Sequence, residues 1–443
     1  MNGRAARLVV AALVVALLAP GVGAFATHDP TNAKPGIITG DRGQTVVGIQ
    51  GFHFRGGSEK TQARLVSIDD DTVDWQYSEQ TFGETWFYDV DPLANGNFLA
   101  TTARNGQTII FELDPDTRER VWTERFDIED THDADLLPNG DLVVANMRAT
   151  TDGVPDDKVF IYNRTTDERT WEWRFRDHYP ESTDGGYDED WTHVNDVDYI
   201  GDDQFLLSPR NFDQAIVVNR STGDIDMRLG SDGDYDTLHE QHNPDYLTNA
   251  EGTPTLLVAD SENDRIVEYE REGDGWNRTW TVGTEGSLNW PRDADRLPNG
   301  NTLVTDSLNH RVIEITPTGE IVWEYYVTWG PYDAERVGAT DDGNWTGGSA
   351  RSPTIADLNA TGSYAVSGSA NDPPIPGENG PSAFLDSVGL DGPASTWDHV
   401  VPWVKPVWAS GWTFLAGVVG LLLGLAWGII ELWQNRDRLR RLG

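Results

Sequence analysis

A repeated hairpin motif limits the folds open to this chain more than any other feature of its sequence. Each copy combines an aspartate, a short turn and an apolar strand, as in "DPLANGNFLATTA" and "DLLPNGDLVVANM". The Asn-Gly pairs in these turns favour tight β-hairpins, because both central residues of such a turn need a positive φ. The six copies begin at Asp91, Asp135, Asp198, Asp245, Asp295 and Asp357.

A second kind of half-repeat, also two alternating strands around a turn, separates these hairpins. "KVFIYNRTTDERTWEWRF" is one example, and "ARLVSIDDDTVDWQYS" precedes the first hairpin. The last hairpin, at Asp357, has no such half after it, so the two ends of the repeat region are expected to share one blade. A closed ring needs this offset, whereas an open β-sandwich does not. The sequence therefore predicts an all-β fold, a six-bladed β-propeller over residues 44–370.

Apolar segments near both ends of the chain predict attachment to a membrane. Arg4 and Arg7 precede an apolar run, and small residues follow it, so residues 1–26 are predicted to be a secretory signal peptide or an uncleaved N-terminal anchor. Residues 407–430 carry no charge and are long enough to cross a bilayer core. They predict a C-terminal transmembrane helix that follows a linker at 371–406.

The tail after this segment, residues 431–443, is basic. It contains four arginines, and the positive-inside rule therefore places the C-terminus in the cytoplasm and the propeller outside the cell. We expect a cell-membrane protein with one membrane span, or with two if the N-terminal segment is retained. The alternative is a soluble protein in which 407–430 is a buried core helix.

The charge of the chain excludes some partners. It has 73 acidic residues against 33 basic ones, a formal net charge of -40, and this repels nucleic acid. Eighteen tryptophans supply the apolar mass that disordered acidic chains lack. A folded, acidic, lysine-poor surface is typical of proteins that work in concentrated salt, where ions screen self-repulsion, so we expect a halophilic source. The chain has no cysteine, which excludes disulfides and cysteine-ligated metals.

One position of the repeat carries the candidate site. The first strand of each propeller blade lines the central channel, so side chains at one repeat position converge there. His193 lies on the same strand face as Asn195, and Arg210 follows the next strand of that blade. Several imidazoles and guanidiniums in so acidic a chain predict an anion-binding pocket. Three residues before the repeat aspartate, the six copies carry Tyr88, His132, Asn195, His242, Arg292 and Thr354.

Other interpretations of these residues remain open. A single histidine is more often a hydrogen-bonded core residue, and that is our interpretation of His28, His53, His178, His239, His310 and His399. Three imidazoles can also hold zinc, although a neighbouring arginine disfavours a cation. The acidic runs at 69–74 and 184–190 lack a regular calcium-ligand spacing and are expected to be solvated surface. We therefore predict neither a metal nor a cofactor.

Four segments in order resemble the signature regions of the arylsulfate sulfotransferase family. They are "THDADLLPNGDLVV", "DWTHVNDVDYIGDDQFLLSPRNFDQAIVV", "EQHNPDYL" and "DSENDRIVEYE". The resemblance implies a propeller enzyme, here of a membrane-anchored, halophilic archaeal type, that moves a sulfuryl group without a nucleotide cofactor. It implies that His242 is the covalent nucleophile and that His132, His193, Asn195 and Arg210 complete the active site. The chain lacks the cysteines and the N-terminal β-sandwich expected of the enterobacterial enzymes.

The predicted function is sulfuryl transfer from an aryl sulfate ester to a phenolic or other hydroxyl acceptor through a histidine-bound sulfate. Sulfuryl transfer resembles phosphoryl transfer in its loose transition state, so positioning and cationic groups are expected to carry the catalysis. Either His132 or His193 is expected to serve as acid and base. Two alternatives are an envelope propeller that binds an anionic glycan or lipid without turnover, and a lyase that eliminates at the same pocket.

Overall fold

The computed structural model describes residues 3–27, 33–40, 42–51, 63–78, 86–104, 106–283, 287–338, 352–369, 380–406 and 408–434. The chain forms two compact units, Ala33–Pro376 and a second one made of Met1–Asn32 with Gly377–Gly443. Each unit is described separately below. His28 and His53, together with 371–379 and 435–443 of the predicted linker and tail, lie outside the described residues.

The larger unit is a six-bladed β-propeller, as the sequence predicts, and each blade is an antiparallel sheet built on four strands. Adjacent strands pair through short turns, and the first strand of each blade contacts the next blade. Blades 1 to 3 consist of β5 (Trp86–Pro92), β6 (Phe98–Arg104), β7 (Gln107–Leu113) and β8 (Arg120–Phe126); β9 (Ala134–Leu136), β10 (Leu142–Asn146), β13 (Lys158–Asn163) and β14 (Glu168–Arg174); and β15 (Val194–Tyr199), β16 (Gln204–Pro209), β17 (Gln214–Asn219) and β18 (Ile225–Gly230).

The second half of the ring has the same construction. Blades 4 to 6 consist of β19 (His242–Thr248), β20 (Pro254–Asp260), β21 (Arg265–Glu272) and β22 (Gly275–Val282); β23 (Pro291–Arg296), β24 (Thr302–Asp306), β25 (Arg311–Ile315) and β26 (Ile321–Val327); and β27 (Pro331–Arg336), β2 (Gln44–Ile49), β3 (Arg64–Asp69) and β4 (Thr72–Tyr77). Four further strands are additions: β1 (Ala33–Ile38) on blade 5, β28 (Gly362–Tyr364) on blade 4, and the hairpin β11 (Thr150–Thr151) and β12 (Val154–Pro155).

Blade 6 closes the ring by joining the two ends of the repeat region. Its inner strand β27 comes from the C-terminal side and pairs with β2 from the N-terminal side, from Thr45 opposite Arg336 to Ile49 opposite Pro331. The predicted shared blade is therefore confirmed. Closure of this kind leaves only short edges exposed.

The inner strand of blade 6 is not the segment that the sequence repeat indicates. The Asp357 copy, and with it Thr354, does not form an inner strand. Its strand β28 runs parallel to β22, and the neighbouring Ile355 N–H donates to Glu268 on β21 at 2.9 Å. The prediction of Thr354 as a channel residue is wrong, and Tyr332 on β27 takes that position. The signal was present, because "PYDAER" in β27 follows the same pattern as "PRDADR" in β23.

Apolar side chains fill the spaces between neighbouring sheets. The cluster between blades 2 and 3 is typical, with Trp173, Trp191 and Phe212 all buried against Val197. The alternating pattern of the strands puts one such layer on each face of every sheet. The packed blades therefore hold the inner strands in fixed positions around the axis.

Aspartates of the inner strands tie neighbouring inner strands together. Asp135 accepts a hydrogen bond from the Tyr199 N–H at 2.9 Å, and Asp333 accepts one from the Val90 N–H at 2.9 Å. The second of these bonds crosses from blade 6 to blade 1. A hydrogen bond to a charged group contributes about 1.5–3 kcal/mol. These aspartates therefore have a structural role at the contacts between blades, which explains why aspartate recurs in the inner strands.

The smaller unit contains four helices. They are α1 (Gly3–Thr27), α2 (Pro381–Ser387), α3 (Asp391–Val404) and α4 (Gly411–Gln434). Both α1 and α4 are long and apolar enough to cross a membrane, which is consistent with the predicted anchoring. The described part of the predicted linker is largely helical, because α2 and α3 lie within it.

Candidate active site

β-Bulges place the candidate side chains at the inner strands. In blades 1, 5 and 6, the register shifts around Tyr88, Arg292 and Tyr332, each of which is an extra residue opposite the second strand. In blades 3 and 4, the shift follows Val194 and His242. A bulge leaves its residue out of the ladder and changes the direction of its side chain. The bulges thereby free Tyr88, Arg292 and Tyr332 from the ladder, whereas His242 stays paired with Ala259 just before its bulge.

The backbone near the pocket is also strained. His193, Asn243 and Trp290 have φ values of 41°, 34° and 52°, which side chains other than glycine rarely adopt. Strain of this kind costs about 1–3 kcal/mol per residue and clusters at functional sites. Strained backbone at these three positions is consistent with a functional site.

His242 is buried at the start of β19, and its hydrogen bonds fix its tautomer. Its Nδ1 lies 2.8 Å from the Ser261 Oγ. That hydroxyl has one hydrogen, which it donates to the carbonyl of Pro291 at 2.7 Å. Because Ser261 must then accept from His242, Nδ1 carries the proton and Nε2 carries the lone pair. A nucleophilic imidazole needs this lone pair.

His193 is held on both sides. Its Nδ1 donates to Asp190 at 2.8 Å, because a carboxylate can only accept, and its Nε2 then accepts from the Arg210 Nη1 at 3.3 Å. Arg210 also pairs with Glu240 at 3.4 Å. Asp190 in turn binds Arg148 at 2.7 Å. The arrangement directs the Arg210 guanidinium, and it leaves neither ring nitrogen of His193 without a partner.

His132 forms a pair with a tyrosine. The Tyr332 hydroxyl lies 2.7 Å from the His132 Nδ1, and the Tyr88 ring lies over the imidazole with 3.9 Å between ring centres. The Tyr88 hydroxyl donates to Asp130 at 2.7 Å, and Asp130 also forms an ion pair with Arg148. His132 therefore has a proton partner whose hydroxyl can donate or accept.

Two further polar groups complete the pocket. Arg292 is buried, with its guanidinium 4.1 Å from the Trp290 ring and 4.5 Å from the Tyr332 ring, and it donates to the Gln50 side chain at 2.9 Å. Asn195 is fully buried and donates to the carbonyl of Gln241, next to His242, at 3.0 Å.

The structure brings the five predicted site residues into one cluster. The His132 and His193 rings are 5.1 Å apart, and Tyr332 lies 5.2 Å from His132 and 5.8 Å from His242, measured between ring centres. Arg210 contacts His193, and Asn195 bonds the residue before His242. Tyr332 is therefore the common neighbour of two of the three histidines.

All three histidines are held in the neutral form. Burial, then the charges of Arg292 and Arg210, lowers the pKa of His242 well below 6.5. Burial, then His193 and His242, does the same to the pKa of His132. Burial and Arg210 lower the pKa of His193 to about 3, although Asp190 opposes them. The fixed positive charge of the pocket therefore comes from its arginines.

Sequence reasoning missed the groups that orient these histidines. Ser261 and Asp190 have no signature of their own in the sequence. Ser261, however, occupies the same place after the second strand as Arg210 does in the preceding blade, since each begins a 3-10 helix there. Tyr332 could have been found from the pattern of β27.

Most of the remaining histidines lie apart from this cluster. His178 stacks on Trp173 at 4.3 Å, and His239 packs on Tyr235 at 4.1 Å, measured between ring centres. The His310 Nδ1 lies 3.2 Å from the Ser307 carbonyl oxygen. His399 lies in α3, in the smaller unit.

Within the described part of the chain, a group of side chains with metal-ligand spacing consists of Asp133, Asp196 and Asp198, whose carboxylate oxygens lie within 4.8 Å of one another. It contains none of the three pocket histidines. Asp133 already accepts the Val197 N–H across the blades.

Comparison with known proteins gives one family and several distant structures. No curated protein matches the chain. A protein of unknown function from Bacteroides caccae is 14% identical, covers 66% of this chain and 97% of its own, and has a TM-score of 0.46. Virginiamycin B lyase from Staphylococcus aureus is 11% identical, covers 68% and 86%, and has a TM-score of 0.41. A Lactobacillus plantarum protein is 11% identical, covers 66% and 98%, and has a TM-score of 0.43. Residues 51–255, which include all five predicted site residues, match the family model Arylsulfotransferase (ASST).

Proposed function

We propose that this chain transfers a sulfuryl group from an aryl sulfate ester to a phenolic or other hydroxyl acceptor, outside the cell, through a sulfate bound to His242. The family match supports sulfuryl transfer, and the hydrogen bonds of His242 support the route. The observation that carries the proposal is the 2.8 Å contact between the His242 Nδ1 and the Ser261 Oγ, from which we infer the Nδ1–H tautomer that leaves Nε2 as a nucleophile.

In the first half-reaction, the Nε2 lone pair of His242 attacks the sulfur. An N–S bond forms, the S–O bond to the aryl group breaks, and the aryl oxygen leaves with the electron pair. The charge on the peripheral sulfate oxygens grows little in a loose transition state, so fixed cations act mainly by positioning and screening. Arg210 and Arg292 are suited to this task because both lower the pKa of His242 by their proximity.

Because the pocket histidines are neutral, they restrict which donor esters can react. Protonation of the leaving oxygen by His132 or His193 would require an imidazolium, but all three pocket histidines have pKa values held below the ordinary one. We infer that the leaving oxygen departs as an anion. Phenolates do so readily and alkoxides do not, which restricts the donors to aryl esters and predicts rates that fall steeply as the pKa of the leaving phenol rises.

In the second half-reaction, an acceptor hydroxyl attacks the sulfur on His242 and loses its proton. A phenolic acceptor enters as the phenolate, because this step is then the reverse of the first half-reaction; for other hydroxyls we assign the base to His132, acting through its 2.7 Å hydrogen bond with the Tyr332 hydroxyl. His193 is less suited, because Asp190 and Arg210 occupy both of its nitrogens. His193 is instead a positioning residue for Arg210, and Asn195 supports the backbone before His242.

Mass spectrometry of the chain after exposure to an aryl sulfate tests the proposal. We expect added sulfate on the peptide that contains His242, and release of a coloured phenol when an acceptor is present. The His242→Ala variant should lose both signals. His178→Ala is the matched control, because this histidine stacks on Trp173 outside the pocket and should retain full activity.

Two results would contradict the assignment. An active His242→Ala variant would exclude the nucleophile. Tight binding of an aryl sulfate or a sulfated glycan without release or labelling, across several donors and acceptors at high salt, would favour the binding propeller instead.

A further inference from the structure

The two long apolar helices of the smaller unit each have one half-buried stripe. Along α1 and along residues 417–431 of α4, the covered positions recur every three or four residues, and the positions between them are exposed. They are residues 10, 11, 14, 17, 18, 21 and 24 on α1, and residues 417, 420, 424, 427, 428 and 431 on α4. Large apolar side chains of the outer faces, such as Leu8 at 72% and Leu425 at 64%, are exposed. Over these stretches each helix therefore has one covered face and otherwise requires an apolar solvent, while the first turn of α4 also packs against α2 and α3.

The stripes meet each other, and glycines make the contact close. A Cβ placed on Gly420 would lie 3.1 Å from the Leu17 Cβ, and one on Gly424 would lie 3.7 Å from Val14. These two glycines are four residues apart, the small-residue spacing that lets helix backbones approach in a membrane. These two glycines of α4 therefore pack against side chains of α1.

Polar and aromatic contacts fix the direction of the pair. At one end, the Arg7 Nε lies 2.6 Å from the Glu431 Oε1. At the other end, Phe25 packs edge-on against Trp408, with 5.6 Å between ring centres. The start of α1 therefore lies beside the end of α4, and the two helices are antiparallel.

We propose that α1 is not removed as a signal peptide but stays in the protein as a second transmembrane helix, paired with α4 in an antiparallel hairpin. Both chain ends are then on the cytoplasmic side, where the positive-inside rule places Arg7 and the arginine-rich tail. The propeller becomes the loop between the two spans. This proposal does not depend on the sulfuryl-transfer proposal.

The length of α1 supports retention. Arg7–Thr27 is a continuous apolar helix of 21 residues, about 31 Å at 1.5 Å per residue. The apolar region of a signal peptide usually has about 7–15 residues, whereas a span needs about 20. Removal would also leave Glu431 without Arg7 and Gly420 without its neighbours.

The absence of cysteine from the chain makes a crosslinking test direct. In native membranes, the Leu17→Cys/Gly420→Cys double variant should form a disulfide on mild oxidation, because the two Cβ atoms are close to the required separation of about 3.8 Å. The Val14→Cys/Gly424→Cys pair is a second site in case the first disturbs folding. The control is Val15→Cys/Gly420→Cys, since Val15 is 65% exposed on the opposite face of α1. After proteolysis within the propeller, a disulfide keeps the two end fragments together.

Three measurements decide the proposal. The intact mass of the membrane-extracted protein should include residues 1–26, and a mature chain that begins after this segment would overturn it. Tags at both ends should be cleaved only from the cytoplasmic side, and opposite sides would overturn the hairpin. Crosslinking at both test pairs should exceed that of the control at least tenfold, fall in Arg7→Glu, and recover in R7E/E431R. Equal crosslinking in the test and control pairs would exclude the proposed contact.

Discussion

The Ser261→Ala substitution tests how His242 acquires its reactive tautomer. Ser261 is fully buried and joins the His242 Nδ1, at 2.8 Å, to the Pro291 carbonyl, at 2.7 Å. Alanine fits the same space but removes the acceptor for the Nδ1 proton. The imidazole then either leaves a buried donor unpaired or moves its proton to Nε2, where it blocks attack on sulfur.

The size of the effect follows from the hydrogen bond that is lost. A buried donor left without a partner costs about 1–3 kcal/mol. If the whole of this cost is added to the activation free energy, kcat/KM falls by about 5- to 150-fold, because about 1.4 kcal/mol corresponds to a factor of ten. The unfolding free energy should fall by a similar amount, since the Pro291 carbonyl also loses its donor.

The assay measures phenol release from an aryl sulfate, together with sulfate labelling of the His242 peptide. The matched control is Ser307→Ala. Ser307 begins the equivalent 3-10 helix of blade 5, is also buried, and has a hydroxyl with no partner among the described residues. It should lose little activity. If Ser261→Ala retains kcat/KM within twofold, or if both alanine variants lose it equally, the tautomer argument is wrong.

Two other predictions concern stability. Asp333→Ala should lower the free energy of unfolding by about 1–3 kcal/mol, because it leaves the Val90 N–H unpaired at the ring closure; denaturant unfolding beside the exposed control Asp116→Ala measures this. Stability should also fall as the pH drops below about 6.5, because the unfolded chain protonates histidines that the fold keeps neutral. The slope is at most about 1.4 kcal/mol per pH unit for each of His132, His193 and His242. His193→Gln should remove one such contribution, and an unchanged slope would count against a neutral His193.

The fold was accessible from the sequence because its repeat has a direct structural cause. Inner-strand aspartates accept backbone N–H groups of the next inner strand, as Asp135 of the repeat does and as Asp333, two residues earlier in the pattern, does. The offset of the half-repeats predicted a shared blade because a closed ring joins the two ends of the repeat region. The sixth inner strand was misassigned because Asp357 resembles the repeat locally, while the pairing of β27 with β2 joins residues almost 300 positions apart in the chain.

The pocket was accessible only in part. His132, Asn195 and His242 were found because they share a repeated position in an acidic chain, and His193 and Arg210 because they lie on or after the strands of the same blade as Asn195. The orienting partners were not, since the 2.8 Å contacts of Ser261 with His242 and of Asp190 with His193 depend on bulges and left-handed backbone that composition does not reveal. Two assignments could be made only from the structure: which histidine nitrogen is protonated, and which histidine can act as a base.

The inner strands separate two tasks that adjacent residues perform. The position directly after the channel residue holds an aspartate in five blades and Asn243 in blade 4, and Asp133, Asp293 and Asp333 hold the ring by bonding the next inner strand. In blades 1, 5 and 6 the residue before it is the extra residue of a bulge and takes no part in the ladder, so it can differ there without loss of pairing. Five blades thereby place two tyrosines, two histidines and an arginine at one level. Because this level is buried, burial rather than the acidic surface sets the pKa of its histidines, and a protein with a formal charge of -40 can present neutral nucleophiles and fixed cations to an anion.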